Sequence, residues 1–223
     1  MSPSKQRHIT AFELLTSPSA ASLRKRIEAS TGVFLLLFLL EHAAGNALSV
    51  LPDPTYYDGY VELLGRTIVV RVLEVCLLLV FGVHIVIGLA MKYVRHTIIK
   101  RRPEKPAPPR PILRVVGWTG AIIIIFLGIH LTTFFIPDRF GADVLHPRVR
   151  MAEAFSHFPY VLFYVVSMFA VSLHLYYGIS SALATLPLVP RSWIPVLIRF
   201  GRISSIVAPI LLALTSLIFF IRS

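Results

Sequence analysis

Apolar residues in this chain do not alternate with polar ones; they gather into five long blocks separated by short polar segments. A membrane-crossing helix needs about 20 predominantly apolar residues. Five blocks reach that length: Ile27–Val50, Val69–Tyr93, Val115–Ile136, Phe155–Ala184 and Ile203–Ile221. The pattern predicts an all-α integral membrane bundle of five transmembrane helices, formed by residues 27–223 and preceded by a polar segment, 1–26. Leu51–Ile68 and Pro137–Glu153 read as connecting loops on one side. The basic, proline-rich Lys100–Pro111 stretch reads as an extended, solvated loop on the other. Pro187 and Pro190 should end the fourth helix, leaving Arg191–Phe200 along the surface, and Pro209 should kink the fifth.

Composition supports this reading. Of 223 residues, 56% are hydrophobic and 15% charged, against about a quarter charged in soluble domains; mean hydropathy is +0.75. The first block follows Arg24-Lys25-Arg26 and is too long for the apolar core of a cleavable signal, so no such signal is expected. A lone cysteine, Cys76, leaves no basis for a disulfide framework, a cysteine-held iron–sulfur cluster or covalent haem attachment.

The net charge of +11 raises the question of nucleic acid, and its distribution answers against it. Sixteen of the 22 lysines and arginines fall between Lys5 and Arg26, Lys92 and Arg114, and Arg191 and Arg202. Five crossings put those segments on one side. The positive-inside rule then predicts a cytoplasmic N-terminus and an external C-terminus.

Four of the blocks each contain a histidine: His42, His84, His130 and His174. An ionisable side chain at membrane depth is costly and is a functional hypothesis by default. The four belong to an internal repeat. Thr31-Gly32 precedes His42 by the interval at which Thr119-Gly120 precedes His130, and His84-Ile-Val-Ile-Gly88 echoes His174-Leu-Tyr-Tyr-Gly178. At 1.5 Å per residue, His42 and His130 lie roughly 9–12 Å below the outer boundary, and His84 and His174 roughly 14–15 Å above the inner one. The histidines therefore sort into an outer and an inner pair. Two imidazoles facing each other suit bis-histidine ligation of a haem iron, which leaves no open axial site and favours electron transfer. Gly45, Gly88 and Gly178, one turn beyond three of these histidines, would let a flat macrocycle approach the backbone.

These stretches resemble the di-haem cytochrome b anchor of succinate dehydrogenases and fumarate reductases, in its single-chain, five-helix form. The resemblance rests on Thr31-Gly32 through His42-Ala-Ala-Gly45-Asn46, Gly82-x-His84-x-x-x-Gly88, Trp118-Thr119-Gly120 through His130-Leu131, and His174-Leu-x-x-Gly178 with Ser180-Ser181 and Thr185-Leu186. It covers the chain from about Arg24 onward. It implies two b haems on His42 with His130 and on His84 with His174, a flavoprotein and an iron–sulfur partner subunit, exchange with membrane quinone (menaquinone in most of this type), and residence in the cytoplasmic membrane. Succinate chemistry itself would belong to a partner subunit. Ser172 stands where some fumarate-reducing relatives carry a proton-moving glutamate.

Quinone chemistry needs a proton donor or acceptor near the ring. Glu62, Glu74 and Glu41 are the outer candidates, with Glu74 alternatively an ion-pair partner of Arg71 and Glu41 expected to point about 100° away from His42; Ser30, Arg24 and Arg26 are the inner ones. Two other functions compete with the succinate:quinone oxidoreductase reading. One is a cytochrome b subunit of a hydrogenase or formate dehydrogenase. The other is a non-redox, proton-coupled transporter with histidine relays.

Overall fold

The computed structural model describes residues 17, 20–65, 67–94, 111–141, 145–186 and 190–223. Ile9–Leu15, Arg66, His96, Pro187 and nearly all of the Lys100–Pro111 stretch lie outside them. Among the described residues every regular element is helical. In chain order these are α1 (Ala21–Leu48), α2 (Thr55–Gly65), α3 (Ile68–Val94), α4 (Pro111–His130), a π-helical turn (Leu131–Phe135), α5 (Ile136–Phe140), α6 (Pro147–Phe155), α7 (Phe158–Thr185), a 3₁₀ turn (Arg191–Trp193) and α8 (Ile194–Arg222).

Five helices are long and apolar enough to cross a membrane: α1, α3, the continuous run Arg114–Phe140, α7, and α8 with its leading turn. The chain is thus built as a multi-pass membrane protein. The helices stand side by side in alternating directions, and cross-contacts identify the two ends. At one end, here the basic end, Lys92 at the close of α3 lies over the Trp118 ring of α4, and Arg202 of α8 reaches Ser180 of α7. At the opposite end Arg222 donates to the Val50 carbonyl at 3.1 Å, tying the close of α8 to the close of α1.

Packing is uneven. α7 packs against α8, α4 and α1, while α1 also packs against α3 and α8. Four of the spans therefore form an arc, α3–α1–α7–α4, with α8 behind its middle. α8 meets α7 through small residues, including the buried Gly201, Ser204, Ser205 and Ala208, which let membrane helices approach closely without a hydrophobic driving force. A Cβ on Gly201 would lie 2.5 Å from Ile179 Cγ1. α3, at the tip of the arc, buries only Ile87. Val69, Val72, Val75, Leu79, Val83 and Val86 are exposed along it, as a surface facing lipid would be.

Three features depart from the sequence reading. Both segments expected to be loops carry helix. The first contains α2, whose approach is turned by Asp53 accepting from the Thr55 amide at 2.9 Å and which seats the buried Tyr57. The second continues the third span as α5 and then forms α6, started by Pro147 at its first position and by the His146 ring accepting from the Arg148 amide, a position that tolerates proline because its N–H would be unpaired anyway. Finally, Arg191–Phe200 is largely exposed but is not a separate surface segment: Arg191–Trp193 is a 3₁₀ turn and Ile194–Phe200 continues into the last span. The latter stretch is the opening of α8, an unbroken helix that passes through a buried Pro209.

Candidate functional site

The interior of the arc is where the four histidines meet. His42 of α1 faces His130 of α4 with ring centres 5.9 Å apart and planes at 84°. His84 of α3 faces His174 of α7 at 6.4 Å and 74°. Neither α1 with α4 nor α3 with α7 packs extensively backbone to backbone, so each imidazole pair bridges a gap between helices. These two pairs are the ones that depth along the helices groups together.

The repeat supplies each pair with the same support. Thr31 Oγ1 donates to the Ile27 carbonyl at 2.8 Å and lies 2.9 Å from His84 Nδ1. Thr119 Oγ1 donates to the Val115 carbonyl at 2.8 Å and lies 3.3 Å from His174 Nδ1. With the hydroxyl proton given to a carbonyl, each oxygen can accept from Nδ1–H, the tautomer that leaves Nε2 with a lone pair. The glycines following these threonines make room. A Cβ on Gly32 would stand 3.4 Å from His84 Cε1, and one on Gly120 would stand 3.5 Å from His174 Cε1.

His42 and His130 are supported differently. Phe38 stacks on His42 with centres 5.3 Å apart and planes at 27°, and Phe126 stacks on His130 at 5.4 Å and 29°. Each phenylalanine precedes its histidine by four residues, the spacing that brings side chains together on a helix. Both contacts belong to the repeat, and the recurring Phe-x-x-x-His was its available signal. The threonine hydroxyls were signalled too, by Thr-Gly at one interval, although spacing did not say which histidine each would hold. Immediately after His130 the helix widens into the π turn, a distortion often associated with functional positions. No ring nitrogen of His42 or His130 has a hydrogen-bond partner among the described residues, and His130 Nδ1 is buried.

Thr31 and His42 are eleven residues apart, as are Thr119 and His130. Eleven residues are close to three whole turns, so both members of each set lie on one face, separated by about 16 Å along the axis. The imidazoles therefore form two tiers about 16 Å apart.

Two imidazoles so placed can grip one metal between them. Among the described residues no three or more histidine, cysteine, aspartate or glutamate side chains gather into a metal site. Each tier brings two imidazoles together.

The neighbouring positions differ among themselves. A Cβ at Gly178 would meet nothing within 4 Å. At Gly88 it would lie 3.0 Å from Glu28 Oε1, and that oxygen is 3.6 Å from His84 Nε2. Glu28, which the sequence reading did not single out, therefore stands beside Nε2 of His84; its flexible side chain would have to swing aside for a ligand there. At Gly45 a Cβ would lie 2.3 Å from the Tyr60 ring. That glycine seats Tyr60 of α2 and opens no space for a macrocycle. Tyr60 in turn donates to Glu41, beside His42.

The quinone candidates do not converge. Glu74 is held by Arg139, which contacts both of its oxygens, and by Arg71 at 3.5 Å; it is placed as an ion-pair partner. Glu62 and Ser30 are exposed on α2 and α1, and Arg26 is exposed beside a buried Arg24 that donates to the Ser17 carbonyl at 2.8 Å. Two surface grooves, of about 570 and 390 Å³, are lined by other residues. No protein-family profile matches the chain, and neither the curated proteins nor the solved structures give a match.

Proposed function

We propose that this chain is the di-haem cytochrome b anchor of a succinate:quinone oxidoreductase, carrying electrons between an iron–sulfur partner and membrane quinone, with menaquinone the expected quinone. The observation that carries the haem part is the pair of imidazole bridges, 5.9 and 6.4 Å between ring centres, each spanning a gap between helices that scarcely touch. The open position beside Gly178 favours a bound group over an ordinary histidine contact. The partner subunits and the succinate chemistry rest on the residue resemblance set out above.

In this reading His42 and His130 hold one haem, and His84 and His174 the other. A haem held by either pair would supply a one-electron redox centre. The chain's own work is orientation and exclusion. By accepting from Nδ1–H, Thr31 and Thr119 would leave Nε2 of His84 and His174 unprotonated, and Phe38 and Phe126 fix the planes of the other two rings. The surrounding apolar helices keep water from the tiers, which raises the strength of every interaction within them.

The test is reduced-minus-oxidised absorption of the full-length chain purified from a haem-replete membrane. Two b-type haems per chain are expected. His84→Ala or His174→Ala should remove one, and His42→Ala or His130→Ala the other. Retention of both haems in all four variants would overturn the ligand set. Failure of a flavoprotein and an iron–sulfur protein to co-purify from the native membrane would remove the succinate assignment while leaving the haem one.

A further inference from the structure

We infer that the groove between α7 and the opening of α8 binds one anionic phospholipid of the leaflet at the basic end, a site independent of the haem reading. The groove has a volume of about 570 Å³, and its lining includes Tyr176, Ile198, Arg199, Arg202, Ile203 and Ile206. Its two charged members sit three residues apart on α8 and therefore share a face. Arg202 is already positioned: its guanidinium lies over the Tyr176 ring at 5.1 Å and donates to Ser180 Oγ at 3.2 and 3.3 Å. These contacts leave N–H groups of its fork unspent. Among the described residues no carboxylate pairs with Arg199 or Arg202.

The occupant follows from how polarity changes with depth. α8 runs from the basic end toward the opposite one, so Ile206 lies about 10 Å further along the axis than Arg199. A ligand filling this groove needs an anionic, hydrogen-bond-accepting head at the arginines and an apolar tail along Ile203 and Ile206. A phosphodiester bearing acyl chains has that form. A free phosphate has no use for the isoleucines. A soluble acidic segment would have to enter hydrocarbon to reach them, where its backbone groups would go unpaired. Basic side chains close to a membrane surface attract anionic lipid in the same way.

The experiment is native mass spectrometry of the full chain, with whatever subunits accompany it, released from nanodiscs of phosphatidylglycerol or of phosphatidylcholine. One phosphatidylglycerol should remain bound at collision energies that strip phosphatidylcholine. R199Q/R202Q should weaken retention about thirtyfold, at roughly a fivefold factor per cationic side chain. R199K/R202K, which keeps the charge, should stay within about threefold of the parent. Circular dichroism of both variants separates a lost site from a lost fold, and inorganic phosphate at equal concentration should not displace the lipid. Equal retention of the two lipids, displacement by phosphate, or loss of a partner subunit from R199Q/R202Q with lipid retention unchanged would each overturn the assignment.

Discussion

Thr31 Oγ1 lies 2.9 Å from His84 Nδ1, joining the neighbouring helices α1 and α3, and with its own proton given to the Ile27 carbonyl it can accept from Nδ1–H. Thr119 does the same for His174 from α4 to α7, at 3.3 Å. A repeat that looks in sequence like two copies of one helix pair is, in the fold, a mutual arrangement: the first helix of each copy holds the histidine of the second.

Replacing that hydroxyl should therefore disturb one tier selectively. Thr31→Val keeps the volume and removes the acceptor, leaving Nδ1–H of His84 unpaired. Interhelical hydrogen bonds in membranes contribute about 0.6 kcal/mol and at most about 1.7, so the loss of stability should be small. The effect on a bound metal should be larger, because partners of metal-binding histidines are worth about 10–100-fold in affinity. Thr31→Val should lower haem occupancy of the His84–His174 tier while the His42–His130 tier keeps its spectrum, and Thr31→Ser should restore it. Equal loss from both tiers would contradict a role specific to His84.

The spans, the two histidine pairs and the repeat were legible because each is written as a helical period or a fixed interval within apolar sequence. What escaped reading depends on which helices are neighbours. Glu74 has Arg71 three residues before it, and the interval suggested that partner. The bidentate one is Arg139, some sixty residues away, brought there only by the third span continuing into α5. Gly45 offers a related lesson. One turn past His42 it read as clearance for a macrocycle, yet α2, folded from a segment that reads as a loop, lays Tyr60 against it. Arg191–Phe200 reads as a separate surface segment because Pro187 and Pro190 break the preceding chain. Neither proline prevents a new helix from starting at once, and Pro195 sits near its N-terminus, where proline is tolerated.

Gly45 and Gly178 should respond oppositely to enlargement. A Cβ at position 45 would sit 2.3 Å from the Tyr60 ring, so Gly45→Ala must displace α2, with the cost of about 1–3 kcal/mol usual for overpacking. A Cβ at 178 meets nothing within 4 Å, and replacing a mid-helix glycine gains up to about 1 kcal/mol of helix propensity. Gly178→Leu should thus keep or raise the thermal midpoint while lowering haem occupancy, because it fills space beside His174. A Gly178→Leu chain with unchanged haem content would show that the macrocycle does not come near that position.

Tyr57 and Tyr60 give α2 a dependence on alkaline pH. Burial, with Asp58 nearby, pushes the Tyr57 phenol up to about 12; burial and the hydrogen bond to Glu41 also push Tyr60 upward. A phenol whose pKa is raised in the folded state contributes stability that is complete below its unfolded pKa of about 10 and is lost as pH climbs through the folded value. Tyrosinate absorbance should therefore show a late-titrating fraction, and the thermal midpoint should fall between pH 10 and about 12 in the parent and less steeply in Tyr57→Phe. A midpoint that falls equally in both would remove Tyr57 from the account.

The ion pair between Arg139 and Glu74 should behave as a coupled unit. Both side chains are about one-fifth exposed, 23% and 22%, so the pair stands between a solvated bridge worth about 0–1 kcal/mol and a fully buried one whose breakage costs about 3–5. Its neighbours are unequal. Without Glu74, Arg139 keeps Asp138; without Arg139, Glu74 keeps only Arg71 at 3.5 Å, whose side chain is 46% exposed. Arg139→Ala should therefore cost about 2 kcal/mol and Glu74→Ala about 1, with a double variant no worse than Arg139→Ala alone. Thermal unfolding in detergent micelles measures all three. Additivity within about 0.3 kcal/mol would mean that the contact contributes nothing beyond its separate side chains, and that the α5 end of the third span is held to α3 by packing rather than by charge.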